Sequence, residues 1–418
     1  MSELNPRNTD VVLGGQIPTP KDGVVLGGLA RIEQRLASES LSLRLQGLKD
    51  IIHYGDRGVD IAIEALSDRN LQIRQLAGKL LRIHGGERGR NILLDYQPLS
   101  YFNTFADWRR EIYNPQIGII DPDNNAYVVA MTNSGQAGKY EFNNFKSLIK
   151  DPRISDLQAL FFQIDDNPRD RERTFTIGLE AINSARHLLS KLRALFIGDS
   201  MLDLQSESNK SKLEILEVRS LLISFPDLEI LEIAGHFGYH QLDCSQLEHQ
   251  NLKTLIIKTE NIPADNIKQL CSISLPNLEY LELWLGKQGS INEIKKAMQP
   301  ILSGISAPNL QYLGLCGCHD TNSLVSEILS SPIIDRLPVL AFKMGSMTIQ
   351  GVSALTNSPK LKNLKLLILS GEVISPEALS LLQKLECKLD IRNNQYRPKI
   401  DISKHKPAKE RRYSPSWE

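Results

Sequence analysis

The sequence predicts an α/β solenoid: an open arc with a parallel sheet on its concave side and helices outside, preceded by a small all-α segment. Three observations carry that prediction. A Leu-x-x-Leu-x-Leu line recurs through the C-terminal two-thirds, at Leu278–Leu283, Leu310–Leu315 and Leu364–Leu369, and with Ile or Phe in its last slot from Leu157, Leu192, Leu228, Leu252 and Leu337. In the second half successive copies stand about 24 to 32 residues apart. Amphipathic stretches such as 266–274, 291–302, 323–330, 350–356 and 376–385 fill the gaps, as a helical return between parallel strands requires.

Length and composition bound the answer. At 418 residues the chain is too long for one ordinary core and long enough for an extended repeat array. Lys plus Arg and Asp plus Glu are both 49, so the formal charge is zero, which disfavours a strongly basic nucleic-acid binder. No apolar run is long enough to span a bilayer, and residues 1–10 lack the core of a signal peptide. The five cysteines are few, odd in number and scattered, as in reduced thiols of a cytoplasmic protein rather than a disulfide framework.

In order, residues 1–28 read as a flexible Gly/Pro arm holding an internal echo, Val11–Gly15 and Val24–Gly28. Residues 29–96 turn to a helical period: Leu41, Leu45, Leu48 and Ile52 share one stripe, and Leu76, Leu80 and Ile83 another, with Gly55 and Gly58 as breakers. Residues 97–145 read as an adaptor that caps the arc. It carries the aromatics Tyr101, Phe102, Phe105 and Trp108 and a hairpin formed by Gln116–Ile120 and Ala126–Ala130 around a turn at Asp121–Asn125. Residues 146–389 are the repeats, and 390–418 a basic, disordered tail.

Two resemblances follow. The stretch Asp68–Ala77, with an Asp before the helix and an Arg and a small residue inside it, resembles the start of a HEAT repeat. The repeated strand motif with a helical return resembles leucine-rich repeats of the ribonuclease-inhibitor type, although Glu260, Gly286, Cys318 and Gly345 stand where that family places Asn, and insertions at 167–173 and 199–211 stretch the first units. As a whole the chain resembles bacterial proteins that join HEAT-like and leucine-rich repeats without an assigned activity. The resemblance implies a non-enzymatic scaffold that holds a protein or peptide on its concave sheet.

Side chains alternate along a strand, so the Leu positions enter the core and the residues between them face the concavity. That alternation selects Tyr280, Glu282 and Trp284 on one strand, Tyr312 on the next, Lys258 on the preceding strand and Glu232 two strands away as the partner-binding set. Tyr and Trp are the usual anchors at interfaces, because they bury a large rigid area and keep a polar tip. Lys343 occupies the same slot as Lys258 and Trp284, three strands on from Lys258.

Other readings are weighed against this one. Phe196–Leu202 resembles the first block of GDSL hydrolases, with Ser200 as nucleophile, but the later Asp-x-x-His that supplies the base is missing. His236, His240, Asp243, Cys244 and His249 cluster after one strand and could hold a metal, although Gly235 and Gly238 favour a plain loop. Cys316-Gly317-Cys318-His319 places two thiols near a His, where packing as small apolar residues is the simpler reading. The basic tail offers a salt-sensitive contact with nucleic acid. The expectation is no enzyme activity, no cofactor, no membrane contact and a protein or peptide partner.

Overall fold

The computed structural model describes residues 28–133, 140–164, 171–199, 215, 217–237, 241–286, 289–371 and 374–391. The arm before Gly28 and the basic positions from Arg392 onward, both singled out above, lie outside the described residues.

The chain opens with five helices: α1 (Gly28–Leu36), α2 (Leu41–Asp50), α3 (Gly55–Ala65), α4 (Leu71–His84) and α5 (Gly86–Tyr96). Local chemistry sets their bounds. Asn70 is the N-cap of α4, its side chain accepting from the backbone N–H groups of Gln72 and Ile73, while Asp68 accepts from Asn70 N–H at 2.7 Å. Asp68 therefore stands two residues before the cap rather than in the capping role, and its carboxylate instead pairs with Arg44 of α2. Gly58, read above as a breaker, lies inside α3, where it lets the helix press against the Ile51 carbonyl.

From Arg109 onward the chain builds one twelve-stranded sheet among the described residues. The capping strands are β1 (Arg109–Ile112), β2 (Asn125–Asn133) and β3 (Tyr140–Asn143), followed by the short helix α6 (Phe145–Leu148). Then come β4 (Ala159–Ile164), α7 (Arg171–Ala185), β5 (Ala194–Gly198), α8 (Arg219–Ser224), β6 (Ile230–Gly235), β7 (Thr254–Thr259) and α9 (Ala264–Cys271). The remainder is β8 (Tyr280–Trp284), α10 (Ile291–Ala297), α11 (Gln299–Leu302), β9 (Tyr312–Cys316), α12 (Thr321–Ser330), β10 (Val339–Lys343), α13 (Ile349–Thr356), β11 (Leu366–Ser370), α14 (Pro376–Leu382) and β12 (Lys388–Asp390). Every pairing is parallel except β2 with β3; β1 and β3, both paired only to β2, form one edge and β12 the other. The result is an open, repeat-like arc flanked by helices. No helix among the described residues is long and apolar enough to cross a membrane.

The repeated leucines explain the register. Leu160, Leu195, Leu231, Leu255, Leu281, Leu313, Leu340 and Leu367 stand side by side across neighbouring strands and are all buried. A slip of one residue would turn this whole ladder out of the core, so the pattern fixes the pairing. The strand ends repeat a second device. Gly317, Met344 and Gly371 each follow directly on their strand with φ of 70°, 56° and 73°. Two of these three left-handed corners have the residue that adopts them without steric cost.

One expected element is absent. The hairpin drawn at Gln116–Ile120 and Ala126–Ala130 does not form: residues 114–124 are turns and irregular chain, and Ile117 and Ile120 are exposed. The partner of β2 on that side is instead β1, in parallel, and the antiparallel pair is β2 with β3. An apolar run beside a turn cluster resembles a strand locally. Here Tyr127 decides otherwise, since its hydroxyl accepts from Ile120 N–H at 2.9 Å and holds the run as a turn.

Candidate functional site

Three rows of side chains cross the concave side of the sheet, one for each outward position of a strand. The first runs Ala126, Ala159, Ala194, Ile230, Thr254, Tyr280, Tyr312, Val339 and Leu366. The second runs Val128, Phe161, Phe196, Glu232, Ile256, Glu282, Gly314, Ala341 and Ile368. The third, at the carboxyl ends of the strands, includes Gly198, Ala234, Lys258, Trp284, Cys316, Lys343 and Ser370.

The first row is not open. The helical segment and the strap that follows it fold back across it. Tyr280 is 8% exposed and Tyr312 0%. Their rings stack on each other at 3.7 Å between centroids, and Phe102 stands edge-on to both at 5.5 and 5.7 Å. Ile256, Tyr280, Tyr312, Val339, Ala341, Leu366 and Ile368 thus share one apolar core with Leu48, Ile73, Leu81 and Leu93 of the helices. Further along the strap, Phe105 packs on Phe161, which stacks on Phe196 at 3.8 Å.

Polar contacts fasten the rim. Arg90 of α5 donates to Glu279 at 2.6 Å and lies over the Tyr101 ring. Thr254 donates to the Asn103 carbonyl at 2.5 Å, and Asn103 donates to Glu229 at 3.2 Å. Lys388 of β12 donates to the carbonyls of Asp95 and Tyr96 at 2.6 and 2.7 Å, and so caps the C-terminal end of α5. The expectation that Tyr280, Tyr312, Glu232 and Glu282 present themselves to solvent is corrected: all four are buried beneath or beside this cover. Of the six selected residues, only Lys258 and Trp284 keep partial exposure.

The buried carboxylate organises what remains. Glu282 is 5% exposed. One of its oxygens accepts from Trp284 Nε1 at 3.0 Å. The other accepts from Tyr280 at 3.0 Å, Tyr312 at 3.2 Å and Lys343 Nζ at 2.7 Å. Burial alone would raise its pKa, but Lys343, with further help from Lys258 and the Trp284 bond, holds it down to about 2. Burial would likewise lower the Lys343 ammonium, and the Glu282 charge reverses this and holds it well above the usual lysine range. Both tyrosines are pushed far above their ordinary range, first by burial and then by the Glu282 charge. Glu232 repeats the motif with Lys258 at 2.5 Å.

Lys343 is the member of this charged cluster that the selection of single strands misses. It stands on β10 yet reaches Glu282 on β8, across β9. Gly314, the β9 residue in the row of Glu282, leaves room for both partners of the network on that side: a Cβ there would sit 2.9 Å from the Tyr312 ring and 3.2 Å from Glu282 Cγ. The signal lay in the sequence as a lysine in the slot of Lys258 with a glycine-bearing strand beside it.

The alternative centres are otherwise engaged or lie outside the described residues. His249 is buried, with Nδ1 accepting from Leu252 N–H and Nε2 donating to the Phe225 carbonyl, and burial lowers its pKa. Burial pushes the Cys244 thiol up to about 11, and Asp243 accepts from Ser245. No group of three His, Cys, Asp or Glu that could hold a metal occurs among the described residues. Cys316 and Cys318 are both buried. Ser200 and His240 lie outside the described residues.

No family model matches the chain. No curated protein matches it in sequence. A crystal structure of a protein from Bacteroides fragilis, determined as a structural-genomics target, is similar at 25% identity with a TM-score of 0.51, over 59% of this chain and 69% of that one.

Proposed function

We propose that the chain is a non-enzymatic interaction module, a leucine-rich repeat arc with a HEAT-like helical segment as its inner cover, which binds a protein or peptide along the carboxyl-end row of its sheet. The observation that carries this reading is Trp284. It is a partly exposed indole on a rigid strand, its orientation set by a bond to a buried carboxylate, with Lys258 on the strand to one side and Lys343 two strands away on the other. An aromatic held in one orientation loses little freedom on binding, which is what makes Trp effective at interface centres. The leucine ladder, the parallel pairing and the helical returns support the repeat type, and the Asp68–Ala77 stretch supports the HEAT-like assignment.

The test is affinity capture from a lysate of the source organism with immobilised wild-type protein and Trp284→Ala. The reading predicts proteins retained by the wild type and lost by a variant of unchanged melting temperature. Identical retention by both would overturn it.

A further inference from the structure

We infer that the partner segment taken by this row is acidic, a peptide placing a carboxylate beside an apolar or aromatic side chain; this rests on the reading of the row as a binding surface. The four charges beneath Trp284 are layered rather than mixed. The carboxylates of Glu232 and Glu282 are the inner layer, with side chains 6% exposed, and the ammonium-bearing side chains of Lys258 and Lys343 are the outer one, 36% and 22% exposed. The cluster is neutral as a sum, yet it turns its cationic side to solvent.

Hydrogen-bonding capacity points the same way. Glu282 already accepts four bonds, three on one oxygen from Tyr280, Tyr312 and Lys343 and one on the other from Trp284, and with its side chain 6% exposed it turns little acceptor capacity outward. The indole N–H is committed to it as well. Each lysine has three N–H donors, and its carboxylate takes one. The centre of the row therefore offers donors and an indole face, and a ligand must bring the acceptor. Lys258 on β7 and Lys343 on β10 stand on opposite sides of Glu282 on β8, so an incoming carboxylate between them meets two ammonium groups.

A peptide fits this better than a phosphate chain. The row supplies two lysines, and Asp199 and Glu260 stand at the carboxyl ends of β5 and β7. A polyphosphate backbone laid along it would find two ammonium groups and no continuous cationic track among the described residues of the row, whereas a peptide can carry one carboxylate at the right place.

The experiment is selection of random peptides displayed on phage against the immobilised full-length protein, with Trp284→Ala as the counter-target. The inference predicts enriched peptides that carry Asp or Glu next to an apolar residue and do not bind Trp284→Ala. It also predicts that their affinity falls as salt rises from about 0.1 to about 1 M, which shortens the Debye length from about 10 to about 3 Å. Neutral or basic peptides that depend on Trp284 would overturn the inference and leave the binding row standing. Enriched polyanionic peptides whose binding needs no Trp284, or no enrichment at all, would overturn both.

Discussion

Gly314 shows how one absent side chain permits a network. It frees the space in which the Tyr312 ring and the Glu282 stem lie, and so keeps Glu282 in place for its bond from Lys343. Gly314→Val is expected to destabilise the protein by about 1–3 kcal/mol through overpacking, read as a lower denaturation midpoint. Lys343→Met leaves the Glu282 carboxylate buried without its nearest cation, and is expected to cost about 3–5 kcal/mol. The double variant Lys343→Met/Glu282→Gln should recover part of that loss, because the unpaired charge is gone. Glu282 also sets a pH dependence. Its pKa falls from 4.5 to about 2 on folding, so its stabilisation is full above the unfolded value and is lost as pH drops through the folded one. The melting-temperature gap between wild type and Glu282→Gln should be constant near neutral pH and close between pH 4.5 and about 2. A gap that widens on acidification would contradict the assignment.

The strap between α5 and β1 is the element on which the arrangement turns. It places Phe102 over Tyr280 and Tyr312, Asn103 between Thr254 and Glu229, and Phe105 over Phe161. Phe102→Ala should open a cavity at this junction and cost about 3–5 kcal/mol. Strand and strap differed in legibility. The leucine ladder could be read from the sequence because period-two alternation is local and recurs in many copies. The same alternation placed Tyr280, Glu282 and Trp284 on one side of β8 and Leu281 and Leu283 on the other, as the structure has them. It says nothing of what stands across from that side. Arg90 and Glu279 meet across 189 residues of sequence, and no local pattern in either stretch announces the other. The aromatic run at Tyr101–Trp108 suited a core-facing segment or a domain interface, but did not say which surface it covers.

At the scale of the molecule, the arc and its helical cover share one interior. A few helical pairs bury too little apolar surface to stand alone, and the first concave row of the sheet is too apolar to face water. Each supplies what the other lacks. A chain starting at Arg109 should therefore expose Ile256, Tyr280, Tyr312, Val339 and Leu366, bind a hydrophobic dye and self-associate, in contrast to the full-length protein. The same cover leaves Trp284, Lys258 and Lys343 of the carboxyl-end row partly accessible, which is where the proposed function places the partner.

Hydroxyl-radical footprinting of the full-length protein, read by mass spectrometry, tests that division most directly. Tyr96, half exposed on α5, serves as the internal reference. The expected pattern is ready oxidation of Trp284 and Tyr96 with protection of Tyr280 and Tyr312. Oxidation of Tyr280 and Tyr312 at the rate of Tyr96 would show an open concave face and contradict the account.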